Sequence, residues 1–304
     1  MKSPSVNDTG LPPFTLIGLP GLKASQHWVF LLRGALYTVF IVGNGLILFI
    51  VKEEQSLHQP MYYFLSLLSV NDLVVSLSTL PSVLATFYFH IKQIAFDTCM
   101  TQMFFIHLFS FMESEILLAM SFDHYVATCN PLRYSTILTD ARVLQMGLFI
   151  GTTIGGSSIA LPSEASPFCK ANILSHAYCL YPDLIHLPCG ISVSITSLAF
   201  VLSFVLDSVL ILLSYILILC SVLAIAFQEE KLKTLNTCVS HICAVLIFYV
   251  PMLGVSRMHR YGRYAPPYAY VLMSLIYLFV PPMFNPVIYS IKTKEIRKKL
   301  IFCD

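Results

Sequence analysis

Long apolar runs alternate with short polar connections along the chain. Seven runs stand out, near residues 27–51, 61–89, 99–127, 142–162, 194–226, 235–257 and 268–291. At about 1.5 Å per helical residue, runs of this length cross a hydrocarbon layer of roughly 30 Å. The pattern predicts seven membrane-spanning helices forming one transmembrane domain over 27–291, flanked by segments 1–26 and 292–304. Proline punctuates it. The third run ends at Asn130-Pro131, because proline lacks an N–H and drives its predecessor out of helical geometry. Pro251 falls inside the sixth run and Pro281, Pro282 and Pro286 inside the seventh. Each removes a helical hydrogen bond and permits a kink that neighbouring helices must satisfy. Pivots of this kind suit a protein that passes a movement across a membrane.

An odd number of spans puts the two ends on opposite sides. Lys292, Lys294, Arg297, Lys298 and Lys299 place residues 292–304 in the cytoplasm by the positive-inside bias. With Ile296, Leu300 and Ile301 between them, they read as a short amphipathic helix on anionic lipid. The N-terminus then lies outside, where Asn7-Asp8-Thr9 is an acceptor for N-glycosylation. No charged start leads into a cleavable apolar core, so the first helix is expected to act as an uncleaved anchor. Arg257, Arg260 and Arg263 gather on one outer loop, against that bias, and ask for a reason.

Composition sharpens the class. Hydrophobic residues make up 57% and charged ones 11%, with a mean hydropathy of +0.76, so no separate water-soluble domain is expected. A net charge of +2 is too small to imply a nucleic-acid partner. Of nine cysteines, Cys99, Cys169, Cys179 and Cys189 fall at the outer edge or in the long loop 163–191. Cys129, Cys220, Cys238, Cys243 and Cys303 lie in helices or near the cytosol and should stay reduced. Four outer cysteines allow three pairings, and spacing does not choose among them.

Polar groups inside the runs carry the next layer. Asp72, His107, Glu113, Glu115 and Asp207 sit among apolar residues, where a charge costs about 3 kcal/mol even on the lenient insertion scale. Asp72 and Glu113 are the pair expected to share a site, with a sodium ion between them and the Ser66 or Ser69 hydroxyl nearby. The plainer alternative is a pair of protonated, hydrogen-bonded carboxyls. Asp207 is expected to make a simple internal hydrogen bond. Glu115, two residues from Glu113, faces another side. Asp123-His124, at the water boundary of the third run, reads as a cytoplasmic switch.

Several stretches together resemble one family. They are Gly43-Asn44, Leu57-His58-Gln59-Pro60-Met61-Tyr62, Met120 to Tyr134, Ser214-Tyr215, Lys231 to His241, and Pro281 to Ser290. With Met103 to His107, Asn172 to His176 and His259-Arg260-Tyr261-Gly262, the chain is similar to odorant receptors of the class I, fish-like branch, within the rhodopsin-like G-protein-coupled receptors. The resemblance covers nearly the whole chain. It implies an all-α, seven-helix bundle in the plasma membrane that binds small odorants. It also implies activation of a stimulatory olfactory G protein, which raises cyclic AMP.

By resemblance, Cys99 pairs with Cys179 and Cys169 with Cys189. Asp72 and Glu113 match the buried cation site; Asn285, Pro286 and Tyr289 match the seventh-helix switch; Tyr215 and His241 match polar groups of the activation region. In members that detect fatty acids, the residue matching Arg260 holds the carboxylate, with His107 and Ser256 lining the pocket. A guanidinium offers a carboxylate two parallel donors. Phe111, one turn from His107, joins this set on helix spacing. Three departures stand out. Asp123-His124-Tyr125 replaces the usual Asp-Arg-Tyr, which implies weaker coupling to the G protein. Glu115 replaces a small residue such as Ser, and Leu180-Tyr181-Pro182-Asp183 replaces the more common His-Gln-Asp. The rival from another class is an ion-coupled transporter or channel, against which the halves show no inverted repeat or matched broken helices. An enzyme is not expected, since no nucleophile–base or metal-ligand spacing occurs.

Overall fold

A computed structural model describes residues 14–16, 26–87, 93–158, 173–174, 178–180, 195–223, 228–261 and 266–292. Seven long helices carry the fold: α1 (Gln26–Glu53), α2 (Pro60–Phe87), α3 (Phe96–Cys129), α4 (Asp140–Ser158), α5 (Ile195–Leu223), α6 (Gln228–Tyr261) and α7 (Pro267–Lys292). A 3-10 turn at Pro131–Arg133 and a four-residue helical turn at Tyr134–Ile137 link α3 to α4. The Asn7 sequon, Cys169, Cys189 and the tail from residue 293 lie outside the described residues.

The apolar pattern builds these helices because each has two apolar surfaces, one against its neighbours and one toward lipid. On α5, Val201, Leu202, Val205, Leu206, Val209 and Leu212 are all more than half exposed, as a lipid-facing belt requires. Six helices among the described residues are long and apolar enough to cross a membrane. The expected fourth span, 142–162, corresponds to the helix Asp140–Ser158. Helix α6 starts at Gln228 rather than near 235, since its charged first turns continue beyond the apolar zone.

Helix α3 is the axis, packing on α2, α4, α5 and α6, while α1, α6 and α7 close the other side. The proline-rich α7 is held by a polar graft from α1. Pro286 has no N–H, so the carbonyl of Pro282, four residues earlier, loses its helical donor. Asn44 supplies one: its Nδ2 donates to the Pro282 carbonyl at 3.1 Å and to the Phe40 carbonyl at 3.1 Å. The helices approach closely enough that a Cβ on Gly43 would meet Pro286 Cβ at 3.1 Å. Gly43-Asn44 is therefore one device, small where the prolines press and polar where they leave an acceptor bare.

At one end of the bundle a small sheet forms a cap. Strand β1 (Phe14–Leu16) lies between β2 (Gln93–Ile94), antiparallel to it, and β3 (Ile173–Leu174), parallel to it. Phe14 and Leu16 are buried with Ile94, Cys99, Met103, Leu174 and Cys179.

Asn44→Ala would leave the buried Pro282 carbonyl without its donor, a loss of about 1–3 kcal/mol. The expected outcome is a fall of several degrees in Tm of the purified protein, read by thermal unfolding in detergent. An unchanged Tm would show that another donor reaches that carbonyl.

Candidate functional site

From the cap inward, the polar groups of the bundle fall into three tiers. The first holds a loop over α3. Cys179 is disulfide-bonded to Cys99. Its backbone N–H donates to Gln102 Oε1 at 3.2 Å, and Gln102 Nε2 donates to Ser82 Oγ at 2.9 Å. The preceding Tyr178 is fully buried, and its hydroxyl donates to the Ser274 carbonyl of α7 at 2.6 Å. Leu180 is buried beside it. Residues 178–180 thus bolt α3 to α7 across the mouth of the bundle; Tyr181, Pro182 and Asp183 lie outside the described residues.

The second tier is at mid-depth. A cavity of about 20 Å³, room for one water or one ion, is lined by Asp72, Val75, Ile106, Ser110, Glu113, Tyr277, Leu278, Pro281 and Pro282. Asn285 Nδ2 donates to Asp72 Oδ2 at 3.1 Å, whereas Asp72 Oδ1 is buried with no hydrogen-bond partner. Tyr277 and Ser110 are joined at 2.5 Å, with Ser110 donating to the Ile106 carbonyl. The hydroxyl at the acid pair is therefore that of Ser110. Ser66 instead donates to the Tyr62 carbonyl, and neither it nor Ser69 lines the cavity.

Glu113 and Glu115 do face apart: Glu113 opens on this cavity, and Glu115 lies half-buried within electrostatic reach of Asp207. Asp207 accepts from Ser114 at 2.5 Å. With its proton so committed, Ser114 accepts from the Tyr249 hydroxyl at 2.8 Å. A directed chain Tyr249–Ser114–Asp207 thus ties α6, α3 and α5, two residues before Pro251 of α6. Ser114 and Tyr249 escaped the sequence reading; a tyrosine two residues ahead of an intrahelical proline was the available signal.

The expected ligand residues are not gathered into the described cavity. His107 is half-buried and its Nδ1 donates to the Met103 carbonyl at 2.8 Å. Phe111 is packed in the core, stacked on Phe204 with ring centres 4.4 Å apart. Ser256 is exposed and donates to the Met252 carbonyl at 2.9 Å. The backbone of Arg260 lies in the last turn of α6; its side chain falls outside the described residues.

The third tier is the opposite end. Asp123 and His124 do not sit at a water boundary: they are 2% and 7% exposed. Helix α3 runs on to Cys129, and the turn after it folds Tyr134 back so that its hydroxyl donates to Asp123 Oδ1 at 2.8 Å. Burial, then the carboxylate beside it, pushes the Tyr134 hydroxyl above the usual phenol range, so it stays a donor. Tyr125 is half-buried beside Phe122. Tyr215 on α5 is hydrogen-bonded to His241 Nδ1 on α6. Tyr289 is buried and donates to Met120 Sδ at 3.9 Å.

Helices, cap and tiers together make the seven-helix bundle of the rhodopsin fold. The crystal structure of squid rhodopsin is similar with a TM-score of 0.71 at 19% identity, over 91% of this chain and 80% of that one. Sequence comparison goes further: the family model described as olfactory receptor matches residues 33–303. Human olfactory receptor 51I1 is 53% identical over 304 residues, 97% of this chain and 96% of its own length. Human olfactory receptors 51I2 and 51F2 are 53% and 48% identical, over 94% and 97% of this chain and 94% and 89% of theirs. The chain belongs to the olfactory receptor family, a family of multi-pass membrane receptors and not of enzymes.

Proposed function

We propose that this protein is a plasma-membrane receptor that binds small odorants at its disulfide end and activates a stimulatory olfactory G protein, raising cyclic AMP. The observation that carries this reading is the whole-length match to olfactory receptors. The three-tier arrangement supports it. A ligand under the loop would press on α3 and α6, and the Tyr249–Ser114–Asp207 chain couples those helices to α5. Repositioning that chain would shift α6 about Pro251, where the helix lacks a backbone hydrogen bond, toward the end where Tyr215 and His241 meet.

The agonist class follows from Arg260, with His107 and Ser256 as further polar contacts: carboxylates and other strong acceptors. Sodium is the proposed ion of the mid-bundle site. Asp72 with an unpartnered oxygen, Glu113 and the Ser110 hydroxyl are hard oxygen donors around one ion-sized cavity, which suits a hard cation. Bound there, the ion would offset the charge of the two acids.

Three measurements test this reading. In an odorant panel with a cyclic-AMP readout, Arg260→Ala should lose a charge-assisted hydrogen bond of about 1.5–3 kcal/mol, roughly ten- to a hundredfold in potency for carboxylates. Equal potency at equal surface expression would remove Arg260 as the anchor. In the same assay, His124→Arg should raise the maximal response at matched surface density, because an arginine reaches further and carries more donors. A smaller or unchanged maximum would refute a limit set by His124. For sodium, a concentration ten times its Kd adds about 1.4 kcal/mol, a few degrees in Tm. Tm should therefore be higher in sodium chloride than in choline chloride for the wild type and equal in Asp72→Asn. Equal values in the wild type would eliminate the ion.

A further inference from the structure

His124 of α3 and His241 of α6 meet inside the inner end of the bundle, with ring centres 5.2 Å apart and planes at 85°. Edge-to-face packing of two rings is common, but here the nitrogens are used unevenly. His241 is fully buried; its Nδ1 is hydrogen-bonded to the Tyr215 hydroxyl, while its Nε2 has no hydrogen-bond partner. His124 turns its Nδ1 toward Asp123 Oδ2, 3.7 Å away. His241 thus has the outer-shell arrangement that orients a metal-ligating imidazole, Nδ1 hydrogen-bonded to an oxygen and Nε2 left for the ion. At His124 the Asp123 carboxylate lies within ion-pair reach of Nδ1, beyond hydrogen-bond length.

The spacing agrees with this chemistry. With metal–nitrogen bonds of about 2.0–2.1 Å, and a ring nitrogen roughly 1.1 Å from its ring centre, two imidazoles on one tetrahedral ion have centres about 5 Å apart. A buried polar atom with no partner is costly, and an ion at Nε2 would satisfy it. Imidazole donors select borderline transition metals over magnesium or calcium, which take oxygen. The guanidinium that the family resemblance implies at position 124 would stay protonated and could not ligate, whereas the imidazole of His124 can.

We propose that His124 and His241 form a two-histidine site for a divalent transition-metal ion such as zinc, water completing its coordination, and that the ion staples α3 to α6 at their inner ends. Among the described residues no group of three or more His, Cys, Asp and Glu side chains converges on a metal position, so the site is a weak, reversible one. A staple opposes separation of the two helices and so suppresses signalling. That consequence rests on the receptor activity proposed above, whereas binding does not.

The test uses the purified full-length protein with zinc chloride as the probe, by calorimetric titration and thermal unfolding. Zinc should bind the wild type and raise its Tm by a few degrees at ten times the Kd, while magnesium does neither. His124→Arg, which installs the residue usual in the family, and His124→Gln should each weaken zinc binding at least about tenfold. Undiminished binding by both variants, or no binding by the wild type up to about 1 mM zinc, the edge of measurable affinity, would overturn the site. In odorant-driven nucleotide exchange, zinc should lower the wild-type rate and leave that of His124→Arg unaffected. Zinc that binds the wild type without slowing its exchange would overturn the staple. Absence of exchange in zinc-free wild type would count against the receptor reading alone, since the binding measurement needs no odorant.

Discussion

A polar group buried in a membrane span has no water to fall back on, so its partner must be another part of the protein. That constraint organises this bundle more than apolar packing does, because lipid solvates apolar side chains as well as a neighbouring helix can. The link between Asn44 and the carbonyl bared by Pro286 shows how it works. A proline that serves bending creates a debt of one acceptor, and a donor on another helix must settle it. Asp72 with Asn285, Tyr178 with the Ser274 carbonyl, and Ser114 with Asp207 join helices by the same logic. Such bonds specify which helices are neighbours.

Because α3 touches most of the other helices, its polar residues are read by several partners in turn. Cys99 and Gln102 hold the loop, Ser110 and Glu113 face α7, Ser114 faces α5 and α6, and Asp123 takes the turn that follows. A small axial shift or rotation of this helix would disturb all of them together. The tiers are therefore mechanically one object.

Much of this was legible in the sequence, for a physical reason. Apolar runs long enough to span are rare, so the seven helices could be placed before any contact was known. The start of α6 was misplaced because hydropathy falls where the helix leaves the apolar zone, although its hydrogen bonding continues to Gln228. The burial of Asp123 and His124 was missed for a related reason. It depends on Tyr134 folding back from a turn beyond Asn130-Pro131, and on His241, more than a hundred residues away in the chain. Asp207 was expected to make an internal hydrogen bond, but nothing local names Ser114 as its donor. The strands of the cap are two or three residues long, too short for any alternating pattern to register.

That cap has a consequence for biogenesis. Strand β1 lies between one strand that follows α2 and another that follows α4. Its residues are made before those of the other two strands, yet Thr15 and Leu16 pair with Ile173 and Leu174. The sheet cannot close until the ribosome has delivered four helices and the chain beyond them. Until then Phe14 and Leu16, which end up fully or almost fully buried, lack the part of their cover that Leu174 and Cys179 supply. Closure is thus a late, non-local event in which an early part of the nascent chain waits for a much later one, and a stalled intermediate keeps an apolar strand only partly covered.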